Sequence, residues 1–149
     1  MKYIVTEGTP LKGETIEFLK NLLPEDRQEF LFDKINEAHA INEFMAALKD
    51  SRTYCLRMPC GKIIAMGGFV ECVDNGEYMV WLLCAEGSEK IPSTLYKTVK
   101  KILNSIKWTW LIAPVYSKSV NHIRFVTKGL GFKAAGKGGE IQVYYTNRI

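Results

Sequence analysis

The chain has 149 residues, enough for a single domain over 1–149 that buries roughly two thirds of its unfolded surface. At 47% hydrophobic and 24% charged it has the composition of an ordinary soluble protein, which excludes a low-complexity chain. No apolar run is long enough to cross a bilayer, and the opening "MKYIVTEGTP" carries charges where a signal peptide needs an apolar core, so no membrane partner and a cytoplasmic setting are expected.

Taken in chain order, Tyr3 to Val5 reads as an extended segment closed by Thr9-Pro10. Helical spacing follows at Ile16, Leu19 and Leu22-Leu23. Pro24-Glu25-Asp26 has the proline and acidic residues of a helix first turn, and Ile41, Phe44, Met45 and Leu48 stripe another helix. Two helical stretches, broken or continuous, therefore precede any sheet.

After Asp50-Ser51 the period changes. Tyr54 to Met58 is a strand with a turn at Pro59-Cys60-Gly61-Lys62, and Ile63 to Val73 is a second. Asn75-Gly76 is a strong two-residue hairpin signal, so Tyr78 to Cys84 is expected to run back antiparallel. A loop then leads to a helix opened by Pro92 and striped by Leu95, Val99, Ile102, Leu103 and Ile106. Trp108 to Val115 is a strand, with Pro114 implying either an edge position or a break in pairing. Val120, Ile123, Val126 and Leu130 mark a last helix, capped by Ser119 or Asn121 and ended by Gly129 or Gly131. Ile141 to Tyr145 closes the sheet, with one more short strand possible near Phe132-Lys133-Ala134. The order is β-α-α-β-β-β-α-β-α-β(-β), a mixed α/β or α+β chain.

Cys55, Cys60, Cys72 and Cys84 lack the close pairs of zinc sites, so they read as structural thiols and no metal is expected. The lysines and arginines are spread along the chain. A charge of +4 suits a phosphate-bearing ligand without requiring nucleic acid.

Val80-Trp81-Leu82-Leu83, Ile91-Pro92, Leu111-Ile112-Ala113, His122-Ile123-Arg124-Phe125 and Leu130-Gly131-Phe132, set in this element order, resemble the GNAT superfamily of acyl-CoA-dependent N-acyltransferases. The closest resemblance is to phage-encoded GNAT-like proteins, a group that includes internal virion proteins of podophages. The motifs cover Ile63 to Phe132, and the ends match only by element order.

The resemblance implies acetyl-CoA as cosubstrate and an amine on a small molecule or protein as acceptor. It also implies a pantetheine arm lying between two splayed parallel strands, here Tyr78 to Cys84 and Trp108 to Val115, with Leu82, Leu83 and Cys84 on the donor side. The family's phosphate loop, Q/R-x-x-G-x-G/A, is not present as such. Gly87 is the one glycine between Cys84 and Leu95, leaving Ser88, Lys90, Ser93 and Thr94 as phosphate contacts. Asn121 either contacts the cofactor or caps its helix.

The family's general-acid tyrosine aligns with Thr127, whose hydroxyl is too weak an acid. Tyr116 is the substitute, with Tyr144, Tyr145 or a water open. Glu71 is the candidate base, with Glu77 beside it and a solvated strand end as the plain alternative. An enzyme is one reading. The other is a non-catalytic GNAT-fold protein of virion assembly or host-protein binding, found in the virion or the host cytoplasm.

Overall fold

Prolines open two of the helices, and an asparagine side chain caps a third. The structure, a computed structural model, describes residues 2–73 and 76–148. Strand β1 (Ile4–Glu7) leads into helix α1 (Lys12–Lys20). Helix α2 (Pro24–Leu31) starts on a proline whose missing N–H costs nothing in a first turn. Helix α3 (Glu37–Ala47) starts where the Asn36 side chain accepts the His39 N–H at 2.8 Å. Three helices thus precede the main sheet strands. The first stretch is broken at Pro24, the first turn read from the sequence, and α2, PEDRQEFL, is too polar to carry a helical stripe of its own.

Strands β2 (Ser51–Arg57), β3 (Ile63–Glu71) and β4 (Glu77–Cys84) follow, then α4 (Pro92–Ser105), β5 (Trp110–Tyr116), α5 (Val120–Arg124), β6 (Lys133–Ala134) and β7 (Ile141–Asn147). The strand order is β1-β2-β3-β4-β5-β7-β6 in a seven-stranded mixed sheet. β1 with β2, β5 with β7 and β6 with β7 pair antiparallel, whereas β4 and β5 are parallel. Cys72 N–H donates to Glu77 O at 2.8 Å and Ala85 N–H to Ile64 O at 2.9 Å, so β3 and β4 run antiparallel with one register at both ends. The expected turn residue Asn75 lies outside the described residues; Gly76 after it has φ of 86°.

The chain forms two compact units: Met1–Gly68 with Leu82–Pro92, and Phe69–Trp81 with Ser93–Ile149. In the first, Phe18, Leu19 and Leu22 around α1 are buried with Ile64 and Met66 of β3, and Phe30 meets Phe44 edge to face at 5.9 Å. Full burial of each such side chain contributes roughly 1.5–3 kcal/mol. Arg57 ties the unit's edge together by donating to Glu14 Oε2 at 2.6 Å, Thr6 Oγ1 at 3.1 Å and Gly61 O at 2.9 Å.

In the second unit, β5 buries Leu111, Ala113 and Val115 on alternate positions, the two-residue period of a strand with one face inward. Trp110 packs on Tyr145, and the Arg148 guanidinium lies 3.9 Å from the Trp108 ring centre while donating to Leu103 O and Ile106 O near the end of α4. That arrangement caps carbonyls a helix terminus leaves open.

Candidate active site

Within the second unit, the β4–β5 ladder covers only Glu77↔Trp110, Tyr78↔Leu111 and Met79↔Ile112, although Val80-Trp81 and Ala113 to Tyr116 continue as strand. Pro114 fits this ending. β5 is an internal strand, so the edge-strand explanation for the proline falls. Ser117 N–H donates to Glu140 O in the β7 register, so odd-numbered amides of β5 face β7 and the nitrogen of Pro114 faces the other way, beyond the last β4 pair. A missing donor is harmless there.

Within the first unit, the end of β4 leads into a tight loop. Gly87 has φ of 106°, which favours glycine, and a Cβ there would crowd Ile64 Cγ2 at 3.2 Å. Its N–H donates to Glu89 Oε2 at 2.9 Å. The N–H groups of Ser88, Lys90 and Ile91 donate to Ala85 O, Gly87 O and Ser88 O in a 3-10 turn over Ser88–Lys90. The buried Ser88 hydroxyl donates to Ala85 O at 2.7 Å, while the Lys90 side chain is exposed. A carboxylate therefore holds the glycine amide that a phosphate would use, and most of the loop donors are engaged locally.

Leu83 and Cys84 are buried and Leu82 is half-buried. Both backbone groups of Cys84 are engaged inside the first unit. Its N–H donates to Asp26 Oδ2 at 2.7 Å, and its C=O accepts from Leu23 N–H at 3.0 Å. Nothing local in the sequence announced the buried Asp26; its only sign was its place in a helix first turn.

Ser93 is exposed near the start of α4. Ser119, not Asn121, holds the N-cap position of α5, and it makes no side-chain capping bond. Asn121 is an exposed second helical residue. The chain then widens into a π-helical stretch, Phe125–Gly129, with Leu130 N–H donating to Phe125 O at 2.9 Å. Thr127 donates its hydroxyl to Ile123 O at 2.7 Å, which engages as well as weakens it. Gly131, with φ of 79°, provides the left-handed exit.

The two expected catalytic residues do not come together. Glu71, exposed at the end of β3, stands level with Tyr78 and hence with Leu111, whereas half-buried Tyr116 ends β5 five residues on. At about 3.3 Å per residue, that is roughly 16 Å along the strands plus two strand spacings of about 4.8 Å.

Comparison with solved structures gives the architecture a name. The GNAT domain of S. lividans PAT superposes with a TM-score of 0.69 at 12% identity, covering 97% of this chain and 89% of that one. The chain has the GNAT fold. Two GNAT-fold enzymes solved with coenzyme A agree. PaiA N-acetyltransferase from Thermoplasma acidophilum gives a TM-score of 0.65 at 11% identity, covering 97% of this chain and 99% of that one. Aminoglycoside acetyltransferase AAC(6')-Ib gives 0.65 at 14%, covering 97% and 95%. No protein-family model and no curated protein matches the sequence.

Proposed function

We propose that this chain, acting over 1–149 as one GNAT-like domain, transfers an acetyl group from acetyl-CoA to an amine. The observation that carries the proposal is the parallel β4–β5 pair whose ladder stops at Met79↔Ile112 while both strands continue. A strand edge left without its neighbour is the ordinary docking place for an extended amide-bearing ligand. Backbone alternation turns the amides of Val80 and Leu82 to the same edge of β4. The GNAT-fold enzymes solved with coenzyme A support the choice of donor.

In this reading Leu82, Leu83 and Cys84 line the donor edge, Ser88, Lys90 and Ser93 meet its phosphates, and Asn121 meets its arm. Amine attack on the thioester carbonyl forms the C–N bond as the C–S bond breaks. Tyr116 returns a proton to the departing thiolate sulfur. Glu71 stands too far from Tyr116 to flank the same atoms, and the amine proton passes to water.

The test is a titration of the purified protein with acetyl-CoA followed by thermal unfolding, beside an assay of free coenzyme A release with a panel of amines. Donor at 100 times its dissociation constant adds about 2.7 kcal/mol to stability. Tyr116→Phe lowers kcat with little change in donor affinity. A second reading, a GNAT-fold protein that binds a partner without catalysis, is favoured by the engaged Gly87 amide and Thr127 hydroxyl. Absence of any shift at millimolar acetyl-CoA selects it.

A further inference from the structure

The linker between α1 and α2 bears on the same donor edge, and the inference from it rests on the donor reading above. Ala85 N–H points to β3, where it donates to Ile64 O at 2.9 Å. Neighbouring residues of a strand turn their amides to opposite edges, so Cys84 and Glu86 face the edge away from β3. Both are already met there by the chain itself. Cys84 O accepts from Leu23 N–H at 3.0 Å, Glu86 N–H donates to Asn21 O at 2.9 Å, and Leu22 and Ala85 form an isolated antiparallel bridge. The carboxylate of Asp26, buried in the first turn of α2, completes the set by accepting Cys84 N–H at 2.7 Å. Residues 21–23 thus lie on the end of β4 as a strand one bridge long.

We propose that this linker is a built-in competitor for the acyl donor. An amide-bearing arm that extends along β4 past Leu82 requires the groups of Cys84 and Glu86, and it obtains them only by displacing residues 21–23. The arrangement suits displacement. A single bridge fixes the linker, whereas the Leu22 side chain is buried and remains as the pivot. Leu23 sits at φ of −61°, the value proline enforces, so Leu23→Pro keeps that φ, deletes the competing N–H and puts a ring carbon against Cys84 O, which pushes the linker off β4.

The experiment measures amide hydrogen exchange of the full chain with and without acetyl-CoA, and acetyl-CoA affinity of wild type and Leu23→Pro by calorimetry. In the wild type, saturating acetyl-CoA should speed exchange at Leu23 at least tenfold. Leu23→Pro should bind several-fold more tightly. Equal affinity of the two proteins, with Leu23 exchange unchanged by bound donor, overturns the competitor while leaving the donor reading intact. Binding by the variant alone supports the competitor directly; binding by neither protein overturns both readings. Asp26→Asn, which keeps an acceptor for Cys84 N–H, should bind as the wild type does, and a variant that binds as tightly as Leu23→Pro would move the competing role from the linker to the carboxylate.

Discussion

The two compact units hold equal numbers of basic side chains, ten lysines and arginines each, but the first sets them against twelve aspartates and glutamates and the second against four. The first unit uses that balance. Arg27–Glu37, Lys34–Glu43, His39–Glu43, Arg52–Glu7 and Arg57–Glu14 are all ion pairs within it. Among the described residues of the second unit, no lysine or arginine makes an ion pair with a carboxylate. Lys97, Lys100 and Lys101 share the exposed side of α4, where Lys100 sits over the Tyr96 ring at 5.7 Å. The cations are shared evenly and the carboxylates are not, so one unit is cross-linked by charge and the other rests on packing.

The comparison can be broken most forcefully at Arg57, whose guanidinium joins β1, α1 and the β2–β3 turn. Arg57→Met leaves Glu14 without its partner, and hydrogen bonds to charged groups contribute about 1.5–3 kcal/mol each, so a loss of roughly 2–3 kcal/mol is expected in urea unfolding followed by circular dichroism. A loss under about 0.5 kcal/mol would mean that the charge network is ornamental.

In the second unit the comparable weak point is backbone geometry. Gly131→Val places a β-branched residue at φ of 79°, where no neighbouring atom lies within 4 Å of the new Cβ, so the cost of about 1–3 kcal/mol is conformational strain alone. Gly131→Asn should recover most of it, since asparagine tolerates the left-handed region. Equal unfolding midpoints for the two variants would refute the strain account.

Acid sharpens the contrast. Hydrogen bonding from Arg52, Arg57 and Lys34 holds the carboxyls of Glu7, Glu14 and Glu43 below their usual range. A carboxyl with a lowered folded-state value stabilises above its unfolded value of 4.5 and loses that contribution as pH falls through the folded value. Amides of the first unit should therefore lose exchange protection below about pH 4.5, ahead of those in the second. At the other extreme, burial pushes the Cys55 thiol from 9.0 up to about 11, so its contribution is complete below pH 9 and is lost as pH rises toward 11. Cys55→Val should flatten the stability profile in that window.

The smallest effect is expected on the basic face. Lys100→Gln and Lys101→Gln remove cations that face other cations, and each should change stability by less than about 0.5 kcal/mol, with any gain shrinking as salt screens the repulsion. A large loss at Lys101 would reveal a partner for it, and one at Lys100 would measure its contact with the Tyr96 ring.

What could be read from the sequence was local. Pro24 and Pro92 open helices, Gly131 leaves one, and the strand from Trp108 to Val115 is there as β5. The break in pairing beside Pro114 was legible as one of two options, because proline marks a missing donor without saying which edge it faces. The site was less legible. Asn21-Leu22-Leu23 has no strand signature, and its pairing with Cys84 and Glu86 joins residues some sixty positions apart. Glu89 on the Gly87 amide and the π-helical stretch at Thr127 depend on backbone paths that leave no periodic trace in side chains.

All three tryptophans, Trp81, Trp108 and Trp110, belong to the second unit. Selective excitation of indole emission is therefore a reporter confined to one half of the protein and blind to the other. An emission melt follows the stretch stapled by Arg148 over Trp108, whereas far-ultraviolet dichroism sees the helices of both. Divergence between those two curves would mark the units as thermodynamically separable without any labelling.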